Sequence, residues 1–295
     1  MIPLLVIISF LAFMLVRVAP GGPFDKERAP ASPEIKRAIE AKYHLDEPLW
    51  KQYFRYAGGL LQGDFGPSLK YRSHTVNDII FQGLPVSLSL GALAFLLAMG
   101  LGIPSGFYTA VRRGQWSDWF PSFLVLVAIC VPGFVVGPIL IMIFAVHWQW
   151  FPVALWTTPA HVVLPVIALG LYFAGKISRL MREGMLGVLH SEFITTARAK
   201  GLSENAILWK HAFRLAVLPV VSYSGPLLAD LLTGSFVVEN IFLIPGIGVF
   251  MVNSSLNRDY PMVVGLVLLY AVLLLVLNLL VDVAYGLLDP RVKYE

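Results

Sequence analysis

Charge is scarce in this chain. Asp, Glu, Lys and Arg make up 14% of its 295 residues, against about a quarter in a soluble globular protein. The deficit coincides with long apolar runs and a mean hydropathy of +0.74. An ordinary soluble domain is thereby excluded, and a polytopic all-α membrane protein is indicated. The short alternating segments of a β-barrel are missing. Cysteine is nearly absent as well. The single Cys130 lies inside an apolar run, which excludes an intramolecular disulfide and a cysteine metal cluster. No His-x-x-x-His or Cys/His pair has metal-site spacing, and His190 and His211 are too far apart to read as one, so no metal ligand is expected. Ser222, Ser224 and His161 have no nucleophile motif around them, so no catalytic residue is expected. Residues 170–176 read GLYFAGK, close to a phosphate-binding loop. Ile177 stands where that motif needs Ser or Thr, and the stretch falls within a membrane helix pattern rather than between a strand and a helix. No nucleotide or other cofactor is therefore expected on this chain. The net charge of +4 is explained by basic cytoplasmic loops and calls for no nucleic-acid partner.

What is present is a series of six apolar runs. They cover residues 2–18, 84–111, 119–146, 161–175 (continuing past Lys176), 218–238 and 262–281. The first is short for a span, and Arg17 near its end can snorkel to the interface. It lacks a basic leader and an A-x-A site, so it reads as a retained span. Pro20-Gly21-Gly22-Pro23 then breaks the helix. Residues 20–83 mix charges of both signs and read as a small subdomain outside the membrane. It holds a helix over 32–43 begun by Ser32 and Pro33, a second short helix with an aromatic face (Trp50, Tyr53, Phe54, Tyr56), and a turn at 63–67. Gly102 and Gly106 have the spacing that lets membrane helices approach closely. Trp116 and Trp119 at one end of the third run, and Trp148 and Trp150 at the other, fit the two interfacial belts. Pro132, Gly133, Gly137 and Pro138 predict a kinked helix there.

Charges within the spans are few: Asp230, and Asp282 near the end of the last run. A charge at the bilayer centre costs on the order of 2.5–3.5 kcal/mol or more, so Asp230 must face protein or water. Either it contacts a substrate amine in a translocation path, or it pairs within the bundle. Residues 239–261 read as a loop containing Pro245-Gly246-Ile247-Gly248. Basic residues cluster after the second span (Arg112, Arg113), after the fourth (Lys176, Arg179, Arg182, Arg198, Lys200, Lys210, Arg214) and in the tail (Arg291, Lys293), whereas the opposite short loops hold only Arg258. The positive-inside rule puts both termini in the cytoplasm. The chain then divides into a first helix (1–19), an outer subdomain (20–83), a membrane core (84–285) with a cytoplasmic segment at 179–217, and a tail (286–295). Within that segment, residues 192–199 predict a short helix, Gly201 its left-handed terminator, and Ser203 the cap of the next helix.

Thr195-Thr196-Ala197-Arg198-Ala199-Lys200-Gly201 resembles the "EAA" motif of ABC importer permeases, with Ala197 and Gly201 matching. Thr195 replaces the motif's Glu, and Leu218-Pro219 lies farther downstream than in the general pattern. Both departures, with Ala197 to Leu202 and His211-Ala212, resemble the dipeptide/oligopeptide branch. So do Ala19-Pro20-Gly21-Gly22-Pro23-Phe24, Ala41-Lys42-Tyr43-His44-Leu45, Gly63-Asp64-Phe65-Gly66-Pro67-Ser68, Pro245-Gly246-Ile247-Gly248 and Leu256-Asn257-Arg258-Asp259-Tyr260. Members of that branch usually open on a basic leader that is missing here, so a shortened start is expected. The resemblance implies a type I ABC importer permease with six transmembrane helices in the bacterial inner membrane. It implies a homologous C-type permease subunit, two ATPase subunits carrying ATP and Mg, a periplasmic peptide-binding protein, and a peptide substrate. Residues 195–201 would couple to the ATPases, and Pro245 to Gly248 would face the binding protein. A stand-alone secondary peptide carrier is the rival, disfavoured by the scarcity of intramembrane charge; dipeptides or nickel chelates are the rival cargoes.

Overall fold

A chain in lipid must satisfy its backbone hydrogen bonds within its own segments, which favours helices. The computed structural model describes residues 2–18, 46–71 and 73–288. Their regular structure is helical, apart from one isolated bridge between Pro67 and Thr75. The helices are α1 (Ile2–Val18), α2 (Leu49–Leu61), α3 (Val76–Val111), α4 (Trp116–Cys130), α5 (Gly133–His147), α6 (Pro159–Leu189), α7 (Glu192–Ala199), α8 (Glu204–Ala216), α9 (Leu218–Ile241), α10 (Ile247–Asn257) and α11 (Tyr260–Leu288). The helix expected over 32–43 lies outside the described residues. Three helices, α3, α6 and α11, are alone long and apolar enough to cross a membrane. The pairs α4–α5 and α8–α9 qualify only as bent pairs, and α1 is a shorter apolar helix.

Three expectations are corrected. The second apolar run begins its helix at Val76, eight residues before Leu84, because Thr75 and Asp78 cap it reciprocally: the Thr75 N–H donates to Asp78 (2.8 Å) and the Asp78 N–H to Thr75 Oγ1 (3.2 Å). The third run is not one kinked helix. It breaks by 106° between α4 and α5. Val131 precedes proline and is extended (φ −88°, ψ 118°), and Pro132 follows at ψ 139°, so neither continues the helix. The stretch 239–261 is largely helix rather than loop: α10 occupies Ile247–Asn257 and ends at Arg258, which is left-handed with φ 57°.

The chain forms two compact units. The first joins the amino-terminal part, up to Ser87, with Pro245–Leu275. Its core is Val76, Ile79 and Ile80 of α3 against Ile247 of α10 and Met262 and Leu266 of α11. Two motifs far apart in sequence meet here. Asp259 is fully buried and accepts from the Ser68 hydroxyl and from the N–H groups of Leu69 (3.0 Å) and Lys70 (3.3 Å). Burial, and then the charge of Asp259, push the Tyr71 phenol above its ordinary pKa.

The second unit is built around α6. Its start is capped by Thr158 and His161, with Pro159 at the first position. Thirteen of its residues are buried, among them Leu164, Phe173, Ile177, Met181 and Met185, so it serves as the post against which α4, α5, α8 and α9 pack, and α3 through its glycines. Gly102 and Gly106 of α3 meet it. A Cβ at Gly102 would lie 2.6 Å from Ile177, and one at Gly106 would lie 2.2 Å from the Ser178 carbonyl. No real Cβ tolerates either contact, so the expected small-residue seam is the α3–α6 interface. Gly106→Val should therefore lower the detergent unfolding midpoint sharply, consistent with an overpacking cost of about 1–3 kcal/mol or more. Gly100→Ala, where a Cβ meets nothing within 4 Å, should leave the midpoint unchanged or raise it.

Candidate coupling and translocation site

The segment after α6 folds as its residues dictate. Glu192 opens α7 and Arg198 closes it, each sign at the favourable end of the helix dipole. Gly201 takes φ +78°, a conformation that costs a residue with a Cβ about 1–2 kcal/mol. Its N–H donates to Arg198 O (2.9 Å), and the Leu202 N–H donates back to Ala197 O (3.3 Å). That pair of bonds is a Schellman stop. Arg198 then reaches across the turn with a two-pronged contact to Glu204, at 2.8 and 3.2 Å. Ser203 accepts from the Ala206 N–H at 3.4 Å and caps α8. Turn, fork and cap fix α7 relative to α8 without a large core.

The faces of α7 are sorted. Ile194 and Ala197 are buried, three residues apart on one side. Thr195, Thr196, Arg198, Ala199 and Lys200 are exposed on the other. Ala197 therefore holds the helix down, and the exposed five form the outward surface. α8 is anchored in turn. Trp209 stacks on Phe107 of α3 (centroids 4.6 Å apart) and packs against Phe213 (5.5 Å). These rings lie on and beside a π-helical turn over Ile207–Ala212. Gly184 of α6 admits α8 closely, since a Cβ there would lie 2.4 Å from the Ala216 carbonyl.

One feature escaped the sequence reading. Arg182, one of the basic residues after the fourth apolar run, lies in α6 and grips Asp118 of α4 with both terminal guanidinium nitrogens, one bond at 2.9 Å. Ser122 donates to the same carboxylate at 2.7 Å, and the Gly114 N–H donates at 3.3 Å. Opposite charges at the same end of consecutive spans were the available signal. Two further polar groups lie on the spans. Lys176 of α6 holds its ammonium over the Tyr172 ring (4.7 Å) and near that of Phe173 (5.9 Å). Asp230 is exposed on α9.

The Pro245-Gly246-Ile247-Gly248 segment is seated rather than free. The Ile247 N–H donates to Ser87 (3.0 Å), and Gly83 of α3 admits the segment, since a Cβ there would lie 3.0 Å from Ile247. Gly246, Ile247 and Gly248 are buried, which leaves Pro245 as the exposed member. Among the described residues no cluster of His, Cys, Asp and Glu could hold a metal.

Long apolar helices, several of them packed on one buried post, followed by a short stopped helix, make up a fold of the type I ABC importer permease class. The chain belongs to the family described as the binding-protein-dependent transport system inner membrane component, whose pattern matches residues 102–294. It is 44% identical over 295 residues to the oligopeptide transport system permease protein OppB of Haemophilus influenzae, covering 99% of this chain and 96% of that one. It is 45% identical over 295 residues to OppB of Salmonella typhimurium, with the same coverage. It is 44% identical over 289 residues to the dipeptide transport system permease protein DppB of Bacillus subtilis, covering 98% and 94%. Among solved structures, a chain of the inward-facing MetNI methionine ABC transporter superposes with a TM-score of 0.61 at 18% identity, covering 72% of this chain and 96% of that one; this likeness concerns the fold.

The Asp118–Arg182 contact predicts strong coupling. Asp118→Ala alone strands a charge and should cost about 3 kcal/mol. Asp118→Ala with Arg182→Met should cost clearly less than the sum of the two single changes in detergent unfolding. Additive losses would contradict the pairing.

Proposed function

We propose that this chain is the membrane-spanning subunit of an ATP-driven importer that carries oligopeptides across the bacterial inner membrane. It takes its energy from separate ATPase subunits through residues 195–201. The observation that carries this reading is the construction of α7: a rigid eight-residue helix with one buried face, an exposed face of Thr195, Thr196, Arg198, Ala199 and Lys200, and a stop at Gly201. A short helix fixed at both ends transmits a push, whereas a solvated loop absorbs it. The OppB relatives and the family description support the cargo and the setting.

On this reading both termini face the cytoplasm, α1 is the first of six crossings, and a homologous C-type permease completes the path. Two ATPase subunits bind ATP and Mg beneath α7. A periplasmic binding protein delivers peptide on the opposite side, where Pro245 is the exposed point of its segment. Asp230 lines the path. The DppB relative supports a second cargo, dipeptides, for the same machine. A stand-alone carrier would transport without partners; a permease subunit co-purifies with ATPases and imports only with them.

Gly201→Pro tests the coupling. Proline holds φ near −65° and cannot adopt +78°, so the stop must rebuild. Peptide import into vesicles should fall by about tenfold or more, the factor expected when a 1.4 kcal/mol coupling is lost, while the unfolding midpoint of the spans is unchanged. Normal import would sink the coupling role. Pro245→Glu in the same vesicles should weaken stimulation of ATP hydrolysis by the binding protein, and full stimulation would remove Pro245 from that contact.

A further inference from the structure

A cavity of about 280 Å³ lies within the first unit, walled by the end of α1, by α2, by the turn at 64–67 and by the start of α11. Its size approaches that of small-molecule sites, about 300–1,000 Å³. Phe13, Phe65, Leu69 and Val264 make the wall largely apolar, and Arg17 and Tyr260 add polar groups to it. Neither the coupling segment nor the spans packed on α6 contribute to it.

Arg17 is the basic residue in the last turn of α1. A guanidinium there can reach outward to water. Here it leans back toward the start of the helix, as helical side chains do. Its central carbon lies 4.6 Å from the centroid of the Phe13 ring, one turn earlier, and 5.7 Å from that of the Tyr260 ring. Ring faces attract a cation but give its five N–H donors no ordinary acceptor. Among the described residues Arg17 makes no ion pair and no hydrogen bond. The other charged groups of the wall are engaged: Arg55 pairs with Glu47 at 3.1 Å, and the exposed Asp64 accepts from the Gly66 N–H at 2.8 Å. The wall thus carries two guanidiniums against one carboxylate, and the donors that remain open are those of Arg17.

A fork of N–H donors beside an apolar wall, at the end of a membrane helix, suits an oxyanion that carries a hydrocarbon chain. Guanidinium matches phosphate in geometry and charge. We propose that this cavity seats a phospholipid, with its phosphodiester on Arg17 and the start of an acyl chain along Phe13 and Val264. The phosphate supplies the acceptors that the two rings cannot. The lipid is then a bound ligand that joins α1, α2 and α11, rather than part of the surrounding solvent. This rests on α1 crossing the bilayer, as read above, and not on the nature of the cargo.

The test uses the assembled transporter in detergent: this chain, its partner permease and the ATPases. The probe is phosphatidylglycerol with a photoreactive acyl chain, kept below saturation, and labelled residues are read by mass spectrometry. Phe13 and Val264 should be labelled. Arg17→Gln should lower that labelling about tenfold, within the range for losing a charge-assisted hydrogen bond, and Arg17→Lys, which keeps a cation, should retain most of it. If Arg17→Gln does not assemble, competition on the wild type decides. Unlabelled phosphatidylglycerol should suppress the labelling, whereas diacylglycerol with the same chains, or inorganic phosphate at the same concentration, should not. Equal suppression by diacylglycerol overturns the role of the phosphate, and suppression by inorganic phosphate overturns the lipid as its source. Labelling that Arg17→Gln leaves unchanged overturns the site. So does labelling confined to the exposed Leu4, Leu11 and Leu15 of α1, which leaves α1 in the bilayer. No labelling anywhere on α1 overturns its placement as a crossing.

Discussion

Close backbone approach to α6 is the constraint on which the second unit depends. Lipid tails are as apolar as leucine side chains, so helices in a membrane gain little from hiding apolar surface. They gain from tight van der Waals contact and from pairing polar groups. Gly102 and Gly106 supply the first kind of contact on α3, and Gly184 supplies it where α6 meets α8. The Asp118–Arg182 fork supplies the second on α4. With these contacts in place, α6 leads directly into the proposed coupling segment, with two residues, His190 and Ser191, ahead of α7.

That continuity underlies the mechanical role proposed for the short helix. Eight residues of helix are unstable alone. α7 persists because Ile194 and Ala197 are buried, because Arg198 and Glu204 close its turn, and because α8 behind it is pinned by Trp209 on Phe107. Ile194 and Ala197 anchor the side away from the exposed threonines. On the proposed coupling role, a load applied to those threonines passes into α8, α3 and α6 rather than being dissipated in a loop.

Much of this was legible in the sequence, because the signals were local. The bounds of α7, the left-handed Gly201 and the Ser203 cap follow from dipole charges, a glycine and a hydroxyl read in order. The Gly102/Gly106 seam follows from a spacing rule, although which helix fills it does not. What stayed hidden depends on chain segments far apart. Asp118 meets Arg182 across 64 residues, and Ser68 meets Asp259 across 191. No periodicity announces such a pair. The break at Val131-Pro132 was read as a kink because proline is common within membrane helices; the 106° turn arises because the two residues there are both extended. The burial of Ile247 turned an apparent loop into a seated helix start, since its partners Val76 and Met262 lie on other elements.

The central claim, that the exposed face of α7 receives the energy of ATP hydrolysis, is tested most directly by cross-linking. In a Cys130→Ser background, single cysteines at Thr195 and Thr196 would be paired with cysteines scanned over the upper surface of the ATPase subunits in the assembled complex. The account predicts disulfides from both positions, with import blocked once they form and restored on reduction. A cysteine at Ala197, which faces inward, should yield none. Import that proceeds undiminished with α7 covalently tied to an ATPase, or an active complex in which neither threonine position cross-links, would contradict it.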